Sequence, residues 1–353
     1  MPTEEVRHMS AIADVARLAG VSKATASRAL SGRGYVADDT RLRVQGAASE
    51  LGYIASPNAA SLVTGRTKNI GVIIPFVNRW FFGEVLEGIE RELLAAGYDL
   101  TLYNVTSEVA QRSQIFEFFL ARKRVDAVIA VGVELSVDEV ERLQRTGKPV
   151  VGIGGPIPHA NTIAIDDVAA SRLATEHLLS LGHTRIAHIG GNQAQQMDFS
   201  VHGKRLRGFE LAMEAAGLPT TDSFWPTELS MPGGYAVALQ VLGDPRHRPT
   251  AIFAACDEVA FGTILAAQRL GVEVPRDLSI TGIDDHEYAA MFGLTTVVQA
   301  PREQGRLAVA SVLRLLETDA AEQGGGETIL PSRLVVRSST TAAAPVPVPV
   351  GGR

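Results

Sequence analysis

The sequence predicts a small all-α unit at the N-terminus, followed by an α/β body with two doubly wound parallel sheets. Two patterns support this prediction. Short helix-forming segments separated by turns fill residues 10–52, and apolar runs alternate with amphipathic segments from Asn69 onward. The alternating pattern covers roughly 270 residues, which is more than one compact sheet requires and therefore predicts two subdomains.

Residues 10–52 are expected to form three helices. Gly20 allows the turn after the first helix, because glycine tolerates positive φ. Ser22 is the expected N-cap of the second helix, Lys23–Leu30, since its hydroxyl can accept from a free backbone amide. The third helix begins at Asp38-Asp39, whose negative charges suit a helix N-terminus. Three short helices with these turns predict a helix–turn–helix.

Six apolar runs mark the expected strands of the body, and amphipathic segments between them mark the helices. Strands that alternate with helices at this spacing indicate parallel sheets covered by helices. The runs are Ile70–Ile74, Val125–Val131, Val150–Ile153, Ile186–Ile189, Ala251–Ala255 and Leu278–Ile283. The helices are expected from Phe81 to about Gly97 and near 167–181, 203–217, 257–270 and 301–317.

Charge is distributed unevenly along the 353 residues, which contain 33 Lys+Arg and 39 Asp+Glu for a formal net charge of −6. Residues 1–68 hold nine basic and six acidic residues, a net of +3. The remainder holds 33−9 = 24 basic and 39−6 = 33 acidic residues, a net of −9. A basic unit attached to an acidic body favours a head that binds a polyanion.

Several classes of protein are disfavoured by composition. There is no apolar run long enough for a membrane-spanning helix. The N-terminus is polar and lacks the apolar core of a secretory signal. A single cysteine, Cys256, excludes an intramolecular disulfide framework and a Cys-based zinc finger. The expected compartment is therefore a reducing cytoplasm.

The Pro-rich segment 341–353 is predicted to be a disordered tail.

The second predicted helix has side chains suited to reading DNA. A helix–turn–helix places the start of its second helix in the major groove. Arginine and lysine can bond the guanine edge, and alanine can touch the thymine methyl group. The expected outward-facing residues are Lys23, Ala24 and Arg28, and the short donors suited to phosphates are Ser22, Thr25 and Ser27. The residues alone leave open an ordinary helical hairpin with a solvated basic face.

A hinge is expected at residues 55–65, which are small and mostly polar. Leu62 is the only large apolar residue there that is not β-branched. It could serve as a wedge that enters a minor-groove step, and a plain linker residue is the alternative.

Enzymatic and metal-binding signals are weak. The chain has no G-x-x-x-x-G-K-[ST] and no G-x-S-x-G. The run Gly152–Gly155 lacks the last glycine of a dinucleotide fingerprint and is expected to be a strand-end turn. His177, His183 and His188 do not have helical i,i+4 spacing, so structural hydrogen bonds are expected for them. We therefore predict no enzyme, no cofactor and no metal.

A ligand cleft is expected at the carboxyl ends of the strands, where ligands bind in open α/β sheets. Strand ends present Phe76, Cys256 and Asp284. Helix starts present Phe81-Phe82 and Arg205. Aromatic side chains with one arginine and one aspartate suit a small polar ligand. In the alternative interpretation, Phe81 and Phe82 belong to the core and Arg205 forms a surface ion pair.

A long ordered set of residues also matches a known family. The set includes Ala13–Ala16, Ala19–Ser22, Ser27-Arg28, Leu51–Tyr53, Thr64–Thr67, Arg205–Phe209, Pro249–Phe253, Gly282–Asp285 and Leu294–Val297. From about Ser10 to Thr340 the chain resembles the lactose-repressor (LacI/GalR) family of bacterial transcription regulators. The resemblance implies a body like that of periplasmic binding proteins.

The resemblance also implies domain boundaries. It places the helix–turn–helix DNA-binding domain at 10–54, the hinge at 55–68 and the effector-binding and dimerisation domain at 69–340. The N-subdomain would comprise about 69–167 and 300–327. The C-subdomain would comprise about 168–299 and 328–340.

Site roles follow from the resemblance residue by residue. Lys23, Ala24 and Arg28 look like base-reading positions, and Leu62 with Ala59 looks like the minor-groove wedge. The implied effector site contains Arg205 and Asp284, an aromatic wall of Phe76, Phe81 and Phe82, and the positions of Phe199 and Cys256.

The protein implied by the resemblance is a homodimeric regulator, and repressors are the more common members of this family. It would bind pseudo-palindromic double-stranded operator DNA under control of a small molecule such as a sugar or related metabolite. A stand-alone sugar-binding protein is the alternative.

Departures from the family pattern concern the hinge and the cleft. Pro57-Asn58 arrives two positions late, and Ala60 stands where the hinge often carries arginine. Arg79-Trp80 replaces a usual Asn-Pro, and Cys256 replaces a usual asparagine. Phe199 and Val201 stand where polar effector contacts are common, which favours a more apolar or aromatic ligand than a simple sugar.

Overall fold

The protein is described by a computed structural model that covers residues 12–32, 34–53, 66–105, 112–117, 124–192, 201–318 and 325–344. The chain divides into two compact units, Met1–Lys68 and Asn69–Arg353.

The described residues of the N-terminal unit form three helices, as expected. They are α1 (Ile12–Leu18), α2 (Lys23–Ser31) and α3 (Asp38–Glu50). Gly20 has φ +69° in the turn between α1 and α2, a conformation that glycine adopts without steric cost. Val15, Ala26 and Val44 are fully buried between the helices. The small side chains on α2 therefore allow the three short helices to pack closely around one hydrophobic core.

The body continues the alternation of strands and helices to its end. In chain order, its elements are β1 (Asn69–Ile74), α4 (Trp80–Ala95), β2 (Asp99–Asn104), β3 (Ala127–Val131), α5 (Val137–Arg145), β4 (Val150–Ile153), β5 (Asn161–Ile165), α6 (Asp167–Ser180), β6 (Ile186–Gly191), α7 (Val201–Ala215), β7 (Phe224–Thr227), α8 (Met231–Gly243), β8 (Ala251–Ala254), α9 (Asp257–Arg269), β9 (Ser279–Asp284), β10 (Thr295–Val298), α10 (Pro301–Glu317), β11 (Glu327–Leu330) and β12 (Arg333–Val335). Residues 112–117 are also helical. All six predicted apolar runs form strands.

The strands form two six-stranded sheets. The first sheet has the order β11-β5-β4-β3-β1-β2 and is parallel throughout. The second has the order β12-β10-β9-β8-β6-β7. Its strand pairs are parallel, as expected for a doubly wound body, except that the edge strand β12 runs antiparallel to β10. We call the two halves the first lobe and the second lobe.

Helices cover the sheets and pack closely where glycines meet. In the first lobe, α4 crosses α10 at Gly88 and Gly305. A Cβ atom on Gly88 would lie 2.2 Å from the carbonyl oxygen of Arg302, and one on Gly305 would lie 2.4 Å from that of Val85. Only glycine fits such a close approach of two backbones.

In the described chain, three connections pass between the lobes, after β5, after β10 and between β11 and β12. β11 pairs with β5 up to Leu330, so the last of these connections follows that residue, close to the approximate boundary of 327/328. The expected disorder from residue 341 is wrong for the described part of the tail. The Thr341 amide donates to Ser279 Oγ at 3.0 Å and the Ala343 amide to the Leu181 carbonyl at 2.9 Å. Residues 345–353 lie outside the described chain.

Candidate functional site

The start of α2 is fixed by a side-chain cap. Ser22 Oγ accepts from the Thr25 amide at 3.1 Å, which satisfies one of the free amides at the helix start. Gly32 ends the helix with φ +71°. The cap is the one that the sequence predicts, and the helix extends one residue beyond the predicted Leu30, to Ser31.

The two faces of α2 have different environments. Ala26 and Ala29 face the core. Ser22, Lys23, Ala24 and Arg28 are exposed, while Thr25 and Ser27 are half-buried. An alanine and two basic residues therefore face outward on one short, capped helix. The expected wedge residues Ala59 and Leu62 lie outside the described residues.

Tyr35 is an exposed aromatic residue that the sequence analysis missed. Its side chain is 93% exposed, which is unusual for a large aromatic ring. The preceding Gly34 lies against the aliphatic stem of Arg28, with its ideal Cβ position 3.3 Å from Arg28 Cδ. The signal in the sequence was an aromatic residue that directly follows Gly34, two positions after the Gly32 that ends α2.

The body contains a cleft of about 190 Å³ at the carboxyl ends of the strands, and residues of both lobes line it. Phe76, Phe81, Phe82, Arg205, Cys256 and Asp284 all line it, as the sequence predicts for their location. Phe199 lies outside the described chain. Polar lining residues that the sequence did not assign to the cleft include Asp167, His202, Glu228, Glu258 and Gln299.

The aromatic wall is a cluster of three phenylalanines around the start of α4. The ring centroids of Phe76 and Phe82 are 5.8 Å apart, and those of Phe81 and Phe82 are 5.2 Å apart in an edge-to-face arrangement. These separations are typical of favourable aromatic pairs. Phe82 also packs against Gly132. Phe81 and Phe82 contact the hydrophobic core and line the cleft at the same time, so the two interpretations of these residues are both partly right.

Arg205 forms a buried ion pair with Asp167. Its Nε donates to Asp167 Oδ1 at 2.9 Å, and its Nη1 donates to the Ala255 carbonyl at 2.6 Å. Both side chains of the pair are under a tenth exposed, so the alternative of a surface ion pair is wrong. The neighbouring Asp166 caps α6 instead by accepting from the Ala169 amide at 2.9 Å. Burial acts to lower the pKa of Arg205, while Asp167 and then Asp284 raise it, and the net shift is upward.

Asp284 ends β9 in a strained conformation. It has φ +142°, and Asp285 follows with φ +55°, both in regions that favour glycine. Such outliers persist where surrounding contacts hold them, and they are frequent at binding sites. The Gln299 amide donates to Asp284 Oδ1, and Arg337 pairs with Asp285 at 2.6 Å. Burial, and then the nearby Asp257, raises the pKa of Asp284 well above its usual range.

Two further acidic residues begin α9 directly after the buried Cys256. Asp257 is fully buried and accepts from the His286 amide at 2.9 Å and from Thr296 Oγ1 at 2.6 Å. Burial raises its pKa to about 7. Glu258 lines the cleft, and burial also raises its pKa. Burial raises the pKa of the Cys256 thiol, which disfavours a reactive thiolate.

Two contacts join the lobes at the edge of the cleft. Arg79 of the first lobe forms an ion pair with Glu228 of the second. The Trp80 ring stacks on His286 with centroids 4.6 Å apart and 27° between the planes. Arg79-Trp80 is the dipeptide that departs from the family pattern, and both of its side chains bridge the lobes.

The histidines of the second lobe have structural partners. His183 contacts Thr250 and Ser279, each at 3.0 Å, and His188 Nδ1 contacts the Phe253 carbonyl at 3.0 Å. His177 contacts Thr340 at 3.0 Å. Within the described ranges, no group of three His, Cys, Asp or Glu side chains is placed to hold a metal ion. No helix in the same ranges is long and apolar enough to cross a membrane.

A helix–turn–helix unit and a two-lobed body with a cleft together define a DNA-binding protein controlled by a small molecule. Two family models match the chain: "Bacterial regulatory proteins, lacI family" over residues 11–57, and "Periplasmic binding protein-like domain" over residues 175–340. The HTH-type transcriptional regulator DegA of Bacillus subtilis is 35% identical over 340 residues, which cover 94% of this chain and 98% of DegA. The chain belongs to the LacI family of bacterial transcriptional regulators.

Solved structures of the family have the same fold. The Lac repressor dimer bound to operator and the anti-inducer ONPF matches with a TM-score of 0.84 and 27% identity, covering 95% of this chain and 100% of that one. A LacI family regulator from Enterococcus faecium with bound ribose matches with a TM-score of 0.69 and 28% identity, covering 78% of this chain and 100% of that one.

Proposed function

We propose that this protein is a homodimeric repressor that binds a pseudo-palindromic operator and responds to a small molecule in the cleft. The observation that carries the proposal is the outward face of α2, where Lys23, Ala24 and Arg28 stand on a capped helix. A helix presented in this way fits the major groove, and a two-fold dimer would place one helix in each half-site.

The residues of α2 have distinct proposed roles. Lys23, Ala24 and Arg28 read base edges, since arginine and lysine match the acceptors of guanine and alanine matches the thymine methyl group. Ser22, Thr25 and Ser27 bind phosphates, which fixes the register on the duplex. Ala59 and Leu62 are proposed as the hinge wedge in the minor groove. Tyr35 joins the outward face as a further contact, because its exposed ring has no core to pack against.

The effector is proposed to be a sugar or related metabolite held by Arg205, Asp284, Cys256 and the phenylalanine wall, with Phe199 as a further contact. Binding would change the angle between the lobes and thereby the spacing of the two DNA-reading units. A switch from 1:99 to 99:1 requires a ligand preference of about 5.5 kcal/mol for one state. We further propose that the protein acts in the cytoplasm, has no enzymatic activity and needs no cofactor.

A stand-alone sugar-binding protein is the second candidate, and the two-lobed cleft is the observation that favours it. Selection of sites from a random DNA pool, at two salt concentrations, distinguishes the candidates. We expect enrichment of an inverted repeat. Binding that is sequence-blind and falls steeply with salt at every site would contradict operator recognition.

The Arg28→Ala variant tests the base-reading role. We expect it to lose about 1–3 kcal/mol of discrimination between the selected site and scrambled DNA, if one bidentate contact is removed. Arg43→Ala, at an exposed position on α3, is the matched control and should leave discrimination unchanged. Equal discrimination by wild type and Arg28→Ala would contradict the assignment.

A further inference from the structure

The charges that line the cleft do not balance. In the described part of the chain, the lining contains two arginines and four carboxylates. These are Arg79, Arg205, Asp167, Glu228, Glu258 and Asp284. His202 also lines the cleft, and burial lowers its pKa, so it adds no positive charge at neutral pH. Two of the four carboxyl groups therefore have no cationic partner among these side chains. Burial raises the pKa of these two, Asp284 and Glu258, so their ionisation is costly until a cation joins them.

Each arginine is already in direct contact with one carboxylate. Arg205 pairs with Asp167 at 2.9 Å, and its Nη1 donates to the Ala255 carbonyl. Arg79 pairs with Glu228, and its guanidinium also lies over the Phe76 ring at 5.6 Å from the centroid. These contacts leave Asp284 and Glu258 without a cation in direct contact.

Asp284 and Glu258 are the two unmatched carboxylates. Asp284 is only 6% exposed, its Oδ1 accepts from Gln299, and no described residue donates to its Oδ2. Glu258 forms no ion pair with any residue in the described ranges, and it is half-buried at the start of α9. Arg205 acts on the pKa of Asp284, and Arg79 on the pKa of Glu258, only by Coulomb attraction without a direct contact.

Buried or half-buried carboxyl groups without a cationic partner favour a positively charged ligand. Charges removed from water are costly unless they are paired. The nearby lining is apolar, with the phenylalanine wall on one side and Val201, Leu229 and Cys256 among the rest. Aromatic faces also attract cations. In the sequence, residues 193–200 include one aspartate and no lysine or arginine.

We propose that the cleft binds a ligand that carries a protonated amine on a small ring, and that it rejects carboxylates and phosphate esters. The amine pairs with Asp284 and Glu258, and the ring packs on the phenylalanine wall. This inference rests on the proposed effector-binding function of the cleft and specifies the charge of its ligand.

The test uses three probes with one ring and different charges: benzylamine, benzyl alcohol and benzoate. The thermal midpoint of the full chain is measured at neutral pH with each probe at millimolar concentration. We expect benzylamine to raise the midpoint, benzyl alcohol to raise it less and benzoate to have no effect. In Glu258→Gln and Asp284→Asn, the advantage of benzylamine over benzyl alcohol should shrink or disappear.

Glu214→Gln is the matched control, because Glu214 is exposed and pairs with Arg207 on α7. It should keep the wild-type order of the probes. The proposal is overturned if benzoate equals or exceeds benzylamine, if no probe raises the midpoint, or if only a neutral sugar such as ribose does so. Specific operator binding by the ligand-free protein is measured in the same preparation. Loss of specific operator binding would refute the proposed function as a regulator. A different order of the probes with intact operator binding would refute only the proposal that the ligand carries an amine.

Discussion

Among single residues, Arg205 links stability to ligand binding. Its guanidinium lines the cleft and also pairs with the buried Asp167. Removing one partner of a buried pair leaves the other charge uncompensated, which typically costs about 3–5 kcal/mol. We therefore predict that Arg205→Ala loses the effector response and also lowers the free energy of unfolding by about that amount, as measured by urea denaturation.

The double variant Arg205→Ala/Asp167→Asn separates the two effects. It removes the stranded carboxylate, so part of the lost stability should return while the effector response stays absent. Specific operator binding without ligand should persist in both variants at a temperature where they are folded. An unchanged urea midpoint in Arg205→Ala would contradict the structural role of the pair.

At the scale of elements, α2 and α3 differ in how they begin. Ser22 caps α2, whereas Ala37 precedes α3 without a side-chain cap. Loss of a serine cap costs about 0.5–2 kcal/mol of helix stability. We predict that Ser22→Ala speeds hydrogen exchange of the first α2 amides and weakens operator binding. Ala37→Ser should slow exchange at the start of α3. Equal exchange in wild type and Ser22→Ala would show that the cap contributes nothing.

At the scale of the whole body, weak contacts hold the lobes against each other. The Arg79–Glu228 pair includes a glutamate side chain that is 70% exposed, and such pairs contribute about 0–1 kcal/mol. The Trp80–His286 stack adds roughly 0.5–1.5 kcal/mol. Contacts of this size hold the lobes together and still allow them to separate for a ligand. We predict that Arg79→Ala/Trp80→Ala opens the body and increases its radius of gyration in X-ray scattering.

The Arg302→Ala variant provides the matched control for lobe opening. Arg302 pairs with Glu84 and Glu87, all within the first lobe, so its loss should leave the radius of gyration unchanged. A double variant with the wild-type radius would show that Arg79 and Trp80 do not hold the lobes together.

The sequence predicted elements whose signal is local. Six apolar runs became strands, and the Ser22 cap and the Gly20 turn appeared where they were expected. It did not mark β2, β5, β7, β10, β11 or β12 as strands. Four of these, β2, β7, β11 and β12, are edge strands with partly exposed, mixed sequences, so they lack the continuous apolar pattern of a buried strand. The other two, β5 and β10, are mostly buried but are only five and four residues long and contain threonine or asparagine, so they do not form a continuous apolar run. Their place in the sheets depends on pairing with distant neighbours.

Residue type and short spacing were enough to indicate the family, the capped helix α2 and most strand ends of the cleft. The tertiary structure alone decided which charges meet. Asp167 is 38 residues from Arg205, and Arg79 is 149 residues from Glu228. No local pattern joins such pairs, since only the packing of two sheets and their connections brings them together. The unmatched carboxylates of the cleft, and hence the charge of its proposed ligand, depend on that packing.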